Sequence, residues 1–276
     1  MRLPEGIHGA VPMADYIADP CEDPSLSTGV IKALNERSAA HAWLEHPRLG
    51  AAKDDGSNAA DDGTAVHQLT LGGDSRLVWI EADDYRTKDA RVARDLARSQ
   101  GRVPMLLKDR QRIELAAESA AAALHRKFPG GKAEQTLIWE EGGVWHRSRP
   151  DWVPPEDYLV DLKTTSNADQ GAWIKTTLNG ANYDLQAVHG IAGMEKIEGR
   201  TRDFVFLLVE LEEPFATSFV GLAPEYLDLA RLKRAHAIKV WRECLSAKKW
   251  PAYSDEIHYA QLPTWKAFDF EARRGA

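Results

Sequence analysis

The segment that most constrains this chain of 276 residues is Tyr158–Thr164, where Leu159, Val160 and Leu162 surround two charged residues, Asp161 and Lys163. The apolar residues mark a largely buried strand, and side chains at i and i+2 of a strand share a face. Asp161 and Lys163 therefore project together, with Leu162 turned toward the core. Asp151 stands near the end of the preceding strand, and the turn Pro154-Pro155-Glu156-Asp157 folds it back beside Asp161. Two carboxylates and an ammonium then meet on one sheet face. Left alone, close carboxylates repel and one takes up a proton. A divalent cation removes that conflict, holds a phosphate and acidifies a bound water. Lys163 is expected to orient that water or neutralise phosphate charge. The competing reading is an exposed strand with an ordinary Asp–Lys ion pair, and it is weakened by the need of a buried carboxylate for partners.

Around that segment the chain divides by texture. Residues 1–24 carry Pro4, Pro12, Pro20 and Pro24 and read as an irregular arm. A helix is expected over 26–44, capped by Ser27 or Thr28, then a Gly- and Asp-rich loop over 47–62. A short helix follows, with Asp62 as its cap and Gly72-Gly73 as its stop. Helices are expected over 87–99 and 105–127, with Pro104 opening the second. Three strands, 133–139, 144–153 and 158–164, read as an antiparallel meander. A helix over 183–194, strands over 204–211 and 215–222 and a long helix over 224–249 complete the pattern. The expected organisation is a single domain over 25–250, with a helical part (25–130) and a core (131–250), followed by a tail (251–276). Its uneven grouping predicts one α/β (α+β) unit with a helical N-terminal region, not a doubly wound sheet of repeating βα pairs.

Charge narrows the partners. Lys and Arg number 35 against 42 Asp and Glu, a net of −7, whereas a passive nucleic-acid binder is usually basic. Two local runs are basic: 86–112 holds nine bases against three acids, and 225–249 holds seven against three. Cys21 and Cys244 are far apart, which excludes a disulfide framework, a zinc ribbon and a four-cysteine iron–sulfur cluster. No apolar run is long enough to span a membrane and no hydrophobic signal core opens the chain, so a cytoplasmic location is expected.

The run Arg149-Pro150-Asp151 to Asp161-Leu162-Lys163-Thr164-Thr165 resembles the motif of the PD-(D/E)xK nucleases, in a phage exonuclease branch similar to exonuclease VIII (RecE) and more distantly to the RecB nuclease domain. Three other segments match in order. Gly63-Thr64-Ala65-Val66-His67 is similar to an upstream element whose histidine is a metal ligand. Glu134 resembles the acid opening the first core strand. Tyr183-Asp184-Leu185-Gln186-Ala187 resembles the helix whose glutamine supports the site. The resemblance implies a restriction-endonuclease-like core: a mixed central sheet flanked by helices. It implies Mg²⁺ or Mn²⁺ held by His67, Asp151, Asp161 and the Leu162 carbonyl, with Lys163, Gln186 and Glu134 completing the catalytic set. An imidazole ligand suits Mn²⁺ well.

The activity implied is a 5′-to-3′ exonuclease on double-stranded DNA ends, leaving 3′ overhangs for a RecT-type annealing protein. A ring-like homo-oligomer, a tetramer, is implied with it. The alternatives are an endonuclease of the same fold and a non-catalytic DNA-binding protein. One departure stands out: the tyrosine usual four residues after the glutamine is Gly190 here, leaving Tyr183 or His189 to stand in at the DNA. Trp152, next to Asp151, is a further candidate for the DNA channel, by stacking on an end base.

Overall fold

The structure, a computed structural model, describes residues 2–9, 11–50, 58–72, 76–266, 268 and 274. The arm expected to be irregular supplies strand β1 (Gly6–His8) and helix α1 (Met13–Ile17). Two helices, α2 (Thr28–Glu36) and α3 (Ala39–Glu45), replace the one expected over 26–44. Ser27 caps α2 by accepting from the Val30 N–H, and Ser38 restarts the count by accepting from His41. Helix α4 (Asn58–Leu71) begins before the expected start, so Asp62 lies inside it instead of capping it. Gly72, at φ +66°, ends α4 as expected. Residues 51–57 of the expected loop, and Gly73, lie outside the described residues.

Strand β2 (Leu77–Ile80), helix α5 (Lys88–Ser99) and strand β3 (Val103–Leu106) come next, and β2 and β3 form a two-stranded parallel sheet. Pro104 therefore lies in a strand, not at a helix start. A strand with one neighbour leaves a side where no N–H is needed. Helix α6 begins only at Arg110 and runs to Lys127.

The strands and α-helices that follow are β4 (Lys132–Ala133), β5 (Thr136–Glu141), β6 (Val144–Ser148), β7 (Trp152–Val153), β8 (Tyr158–Thr165), α7 (Gln170–Trp173), α8 (Asn179–Ala181), α9 (Tyr183–Glu198), β9 (Asp203–Glu210), β10 (Thr217–Gly221) and α10 (Pro224–Ala247), with a π-helical turn, Ile174–Leu178, between α7 and α8. The main sheet has the order β10-β9-β8-β7-β4, with β8 and β9 parallel and the other neighbours antiparallel. A second sheet has the order β1-β5-β6. The expected meander is thus divided. Pro150, which has no N–H to donate, interrupts the strand foreseen over 144–153. Before it β6 stays with β5; after it β7 joins the main sheet.

The alternation of β8 sorts its side chains. Val160 and Leu162 pack with α4 and α6, whose Ala116, Ala117, Ala120 and Ala123 allow close approach. Leu159 packs on the other side with Ala187, Ile191 and Met194 of α9. Asp161 and Lys163 share that second side by strand parity. Helix α9 is drawn close by two glycines: a Cβ at Gly190 would lie 3.2 Å from Phe204, and one at Gly193 would lie 2.7 Å from the buried Trp139. Gly190 is therefore a core contact, with no room for a tyrosine. This accounts for the departure noted in the sequence.

Two histidines are fully buried, His189 on α9 and His146 on β6. Burial and then the nearby Arg234 push His146 down to about 3, and His189 well below the usual imidazole range. Below about pH 6.5 the unfolded chain takes up protons that the folded chain refuses until about pH 3, so stability falls as pH falls. His146 is expected to cost roughly 2 kcal/mol by about pH 5, and His189 acts in the same direction. Thermal melts at pH 7 and pH 5 check this: wild type loses more than His146→Leu does, and equal losses would contradict it.

Candidate active site

Four elements meet at one end of β8. The β7–β8 pairing, with Trp152 opposite Val160, brings Asp151 beside the strand, and Asp151 Oδ2 accepts from the Leu162 N–H at 2.7 Å. Lys163 Nζ lies 2.5 Å from Asp161 Oδ2. Gln186 Nε2 of α9 donates to Asp161 Oδ1 at 2.5 Å. From α4, His67 Nε2 approaches Asp151 Oδ1 at 2.8 Å. Helix α4 reaches β8 because Gly63 has no side chain; a Cβ there would press on Thr164 Oγ1 at 3.2 Å. Glu134 completes the group from the turn between β4 and β5, where its φ is +48°. Its N–H donates to the Asp151 carbonyl at 2.8 Å, and its carboxylate lies 3.9 Å from His67 Nδ1.

The electrostatics follow from crowding. Asp161 is only 2% exposed. Burial and the Asp151 carboxylate push it up to about 6, against the pull of Lys163. Burial opposes charge on His67, but Asp151 outweighs it and lifts the imidazole to about 9. Asp151 is held below the usual carboxylate range, since His67, Lys163 and the Leu162 N–H outweigh its burial. Lys163 is raised despite burial because two carboxylates face it.

Two cavities flank His67. One, of about 310 Å³, is lined by Ser27, Thr28, Glu134, Arg149, Asp151 and Gln186, among others. The other, of about 400 Å³, is lined by Gly63, Thr64, Leu162, Lys163, Thr164 and Tyr183. His67 and Met13 of α1 border both.

Of the residues expected from the sequence, His67, Glu134, Asp151, Asp161, Leu162, Lys163, Gln186 and Tyr183 come together. Gln186 reaches the site through Asp161, to which its amide donates. Trp152 does not join them. It is 7% exposed, its Nε1 donates to the Phe128 carbonyl at 3.0 Å, and it stacks edge-on against His125. As Asp151's neighbour it faces the opposite way, into the core.

Two residues escaped the sequence reading. Arg149, inside the motif, pairs with Glu134 at 2.7 Å and donates to the Val11 carbonyl at 2.7 Å. Its guanidinium lies 5.7 Å from the Tyr16 ring centroid. Arg147 and Arg149 alternate along the chain, and that period of two was the available signal; nothing in the arm pointed to Tyr16. The basic runs are partly neutralised within the fold: Arg98 pairs with Asp61, Arg112 with Asp62, and Lys233 with Asp184.

Residues 27–263 match the family model described as "PDDEXK-like domain of unknown function (DUF3799)". The chain belongs to this family. No curated protein matches the PDDEXK-like chain. Among solved structures, a candidate exonuclease from Eubacterium rectale is similar over 96% of this chain and 99% of its own, at 14% identity and a TM-score of 0.60, and shares the fold. An alkaline exonuclease from Laribacter hongkongensis (13% identity, TM-score 0.33) covers 66% of this chain and 90% of its own. A phage-related exonuclease from Haemophilus somnus 129PT (14% identity, TM-score 0.34) covers 67% and 95%.

The donor set suits a hard divalent cation. Two carboxylates and an imidazole converge, and Asp161 Oδ2 is buried with no aligned hydrogen-bond donor, only the Lys163 ammonium nearby. The side chains are closed on one another as ion pairs, and no group of three acidic, histidine or cysteine side chains among the described residues stands in ligand geometry. No helix among them is long and apolar enough to cross a membrane.

Proposed function

We propose that this PDDEXK-like protein is a metal-dependent DNA exonuclease. The observation that carries the reading is the meeting of His67, Asp151, Asp161, Lys163 and Gln186 at one strand end, between two cavities. His67, Asp151, Asp161 and the Leu162 carbonyl would hold Mg²⁺ or Mn²⁺, which when bound supplies Lewis-acid activation of water and phosphate. The chain's own groups do the rest. Gln186 fixes the Asp161 carboxylate by its amide, so the two carboxylates keep their separation. Lys163 sets a positive charge where phosphate charge would otherwise be unopposed. Arg149 clamps Glu134 beside His67 and ties the site to the arm at Val11. His67 must give up its proton before it can act as a donor.

The direction of attack is 5′ to 3′ on linear duplex DNA, leaving 3′ overhangs for an annealing partner of the RecT type, and the working form is a ring-like homo-oligomer, a tetramer. The resemblance supports these points, and the description of the Eubacterium rectale protein accords with exonuclease activity.

End-labelled linear duplex and closed circular DNA, each with Mg²⁺ or Mn²⁺, test the reading. Progressive loss of the linear form alone supports it. Nicked circles would make the protein an endonuclease, and no cleavage of either would make it a binding protein. His67→Ala is expected to weaken metal affinity by at least about tenfold, the least that loss of even a group behind a ligand commonly costs, while changing DNA affinity little. Titration calorimetry with Mn²⁺ and a DNA-binding assay check this; the reverse order of effects would remove His67 from the metal set.

A further inference from the structure

The D-x-K pair on β8 is gripped from one helix. Gln186 of α9 holds Asp161, and Tyr183 stands one turn earlier on the same helix, at i−3, so the two share a face. The Lys163 ammonium lies 4.5 Å from the centroid of the Tyr183 ring. That is inside the roughly 6 Å range over which an aromatic face attracts a cation. The ring is itself held by aromatic neighbours. Trp173 stacks on it at 5.7 Å with planes 10° apart, and Phe206 packs at 5.6 Å. Trp173 and Phe206 are fully buried, and they touch each other at 5.4 Å. The backbone supports the placement: Asn182, in the left-handed region at φ 50°, turns the chain so that Tyr183 opens α9.

We infer that Tyr183 is a positioning residue for Lys163, acting through its ring face and not by touching DNA. A lysine side chain has four rotatable bonds, and Asp161 alone fixes one direction of approach. The ring closes a second side, so the ammonium is held at the end of the strand, beside Asp161 and facing the cavity. Residues i and i+3 of α9 thus fix residues i+2 and i of β8, and Trp173 and Phe206 keep the ring from swinging away.

This inference rests on the nuclease reading for its kinetic arm only, and a spectroscopic arm stands apart. In protein with lysines labelled at Cε, the ring current over Lys163 shifts its Hε resonance upfield. The shift is expected to persist in Tyr183→Phe and to vanish in Tyr183→Leu, with Lys163→Arg identifying the resonance. An unshifted Lys163 resonance in wild type would overturn the inference whatever the protein cleaves. In the kinetic arm, on linear duplex with Mn²⁺, Tyr183→Leu lowers kcat about tenfold with KM nearly unchanged, and Tyr183→Phe restores it. A raised KM at constant kcat, or a Phe variant as impaired as Leu, would instead assign Tyr183 to DNA contact and overturn the positioning role. Absence of cleavage by wild type would sink the nuclease reading while leaving the resonance shift as the test of the geometry.

Discussion

Asp161→Ala is expected to abolish the proposed cleavage of linear duplex DNA, lowering turnover roughly a thousand-fold or more, while leaving the protein folded and able to bind DNA. The size follows from the position of the carboxylate. Asp161 pairs with Lys163 and accepts from Gln186, and the Asp151 carboxylate is near enough to raise its pKa. Its loss frees the lysine, leaves the glutamine amide without an acceptor and removes a donor from the proposed cation set. Losing one such preorganised electrostatic element commonly costs 10²–10³ in turnover, and here three functions are lost together. Folding responds differently. Asp161 and Asp151 are like charges in a buried place, so a neutral isostere relieves repulsion. Asp161→Asn is therefore expected to melt no lower than wild type and still to be inactive. Single-turnover cleavage and thermal melts of both variants check this, and retained turnover in either would take Asp161 out of the site.

Asp19→Ala is expected to cost roughly 3–5 kcal/mol of stability. Asp19 lies at the end of the arm with its side chain fully buried. Ser25 donates to it through Oγ at 2.7 Å and through N–H at 3.0 Å; His46 lies at 3.2 Å and Arg147 at 3.1 Å. Burial opposes its charge, but these partners outweigh it and hold the carboxyl far below the usual range. Truncation strands the Arg147 guanidinium, whose side chain is 4% exposed, without its counter-charge. Asp19 also sits at φ 64°, which an aspartate or asparagine tolerates better than alanine. Asp19→Asn keeps that tolerance and part of the hydrogen bonding, so it loses less. Denaturant unfolding of the two variants ranks them; an alanine variant within 1 kcal/mol of wild type would contradict this account of the arm. Because the Arg147 and Arg149 guanidinium groups each lie 5.7 Å from the Tyr16 ring centroid, loosening of this network is also expected to disturb the wall of the site.

Much of the site was legible because strand parity is a strong local rule. Apolar Leu159, Val160 and Leu162 around Asp161 and Lys163 predict which side chains share a face, and β8 obeys. The same rule, applied one residue further along, would have turned Trp152 away from Asp151. The order of the main elements was readable from periodicity and caps, and Ser27 caps its helix as expected. What escaped depended on contacts distant in sequence. The β2–β3 sheet pairs Trp79 with Met105 across a whole helix, and short strands of that kind carry little local signal. The transfer of the chain between sheets at Pro150 is a tertiary choice that a continuous strand pattern conceals. The arm looked irregular because its prolines dominate the local reading, while its anchoring comes from Arg147 and Arg149, more than a hundred residues away.

A crystal soaked in Mn²⁺ and measured at the manganese absorption edge would show where the protein holds the cation. An anomalous peak is expected between His67 Nε2, Asp151 and Asp161, with the His67–Asp151 contact opened to admit it. A peak elsewhere, or none at Mn²⁺ concentrations that support turnover, would contradict it.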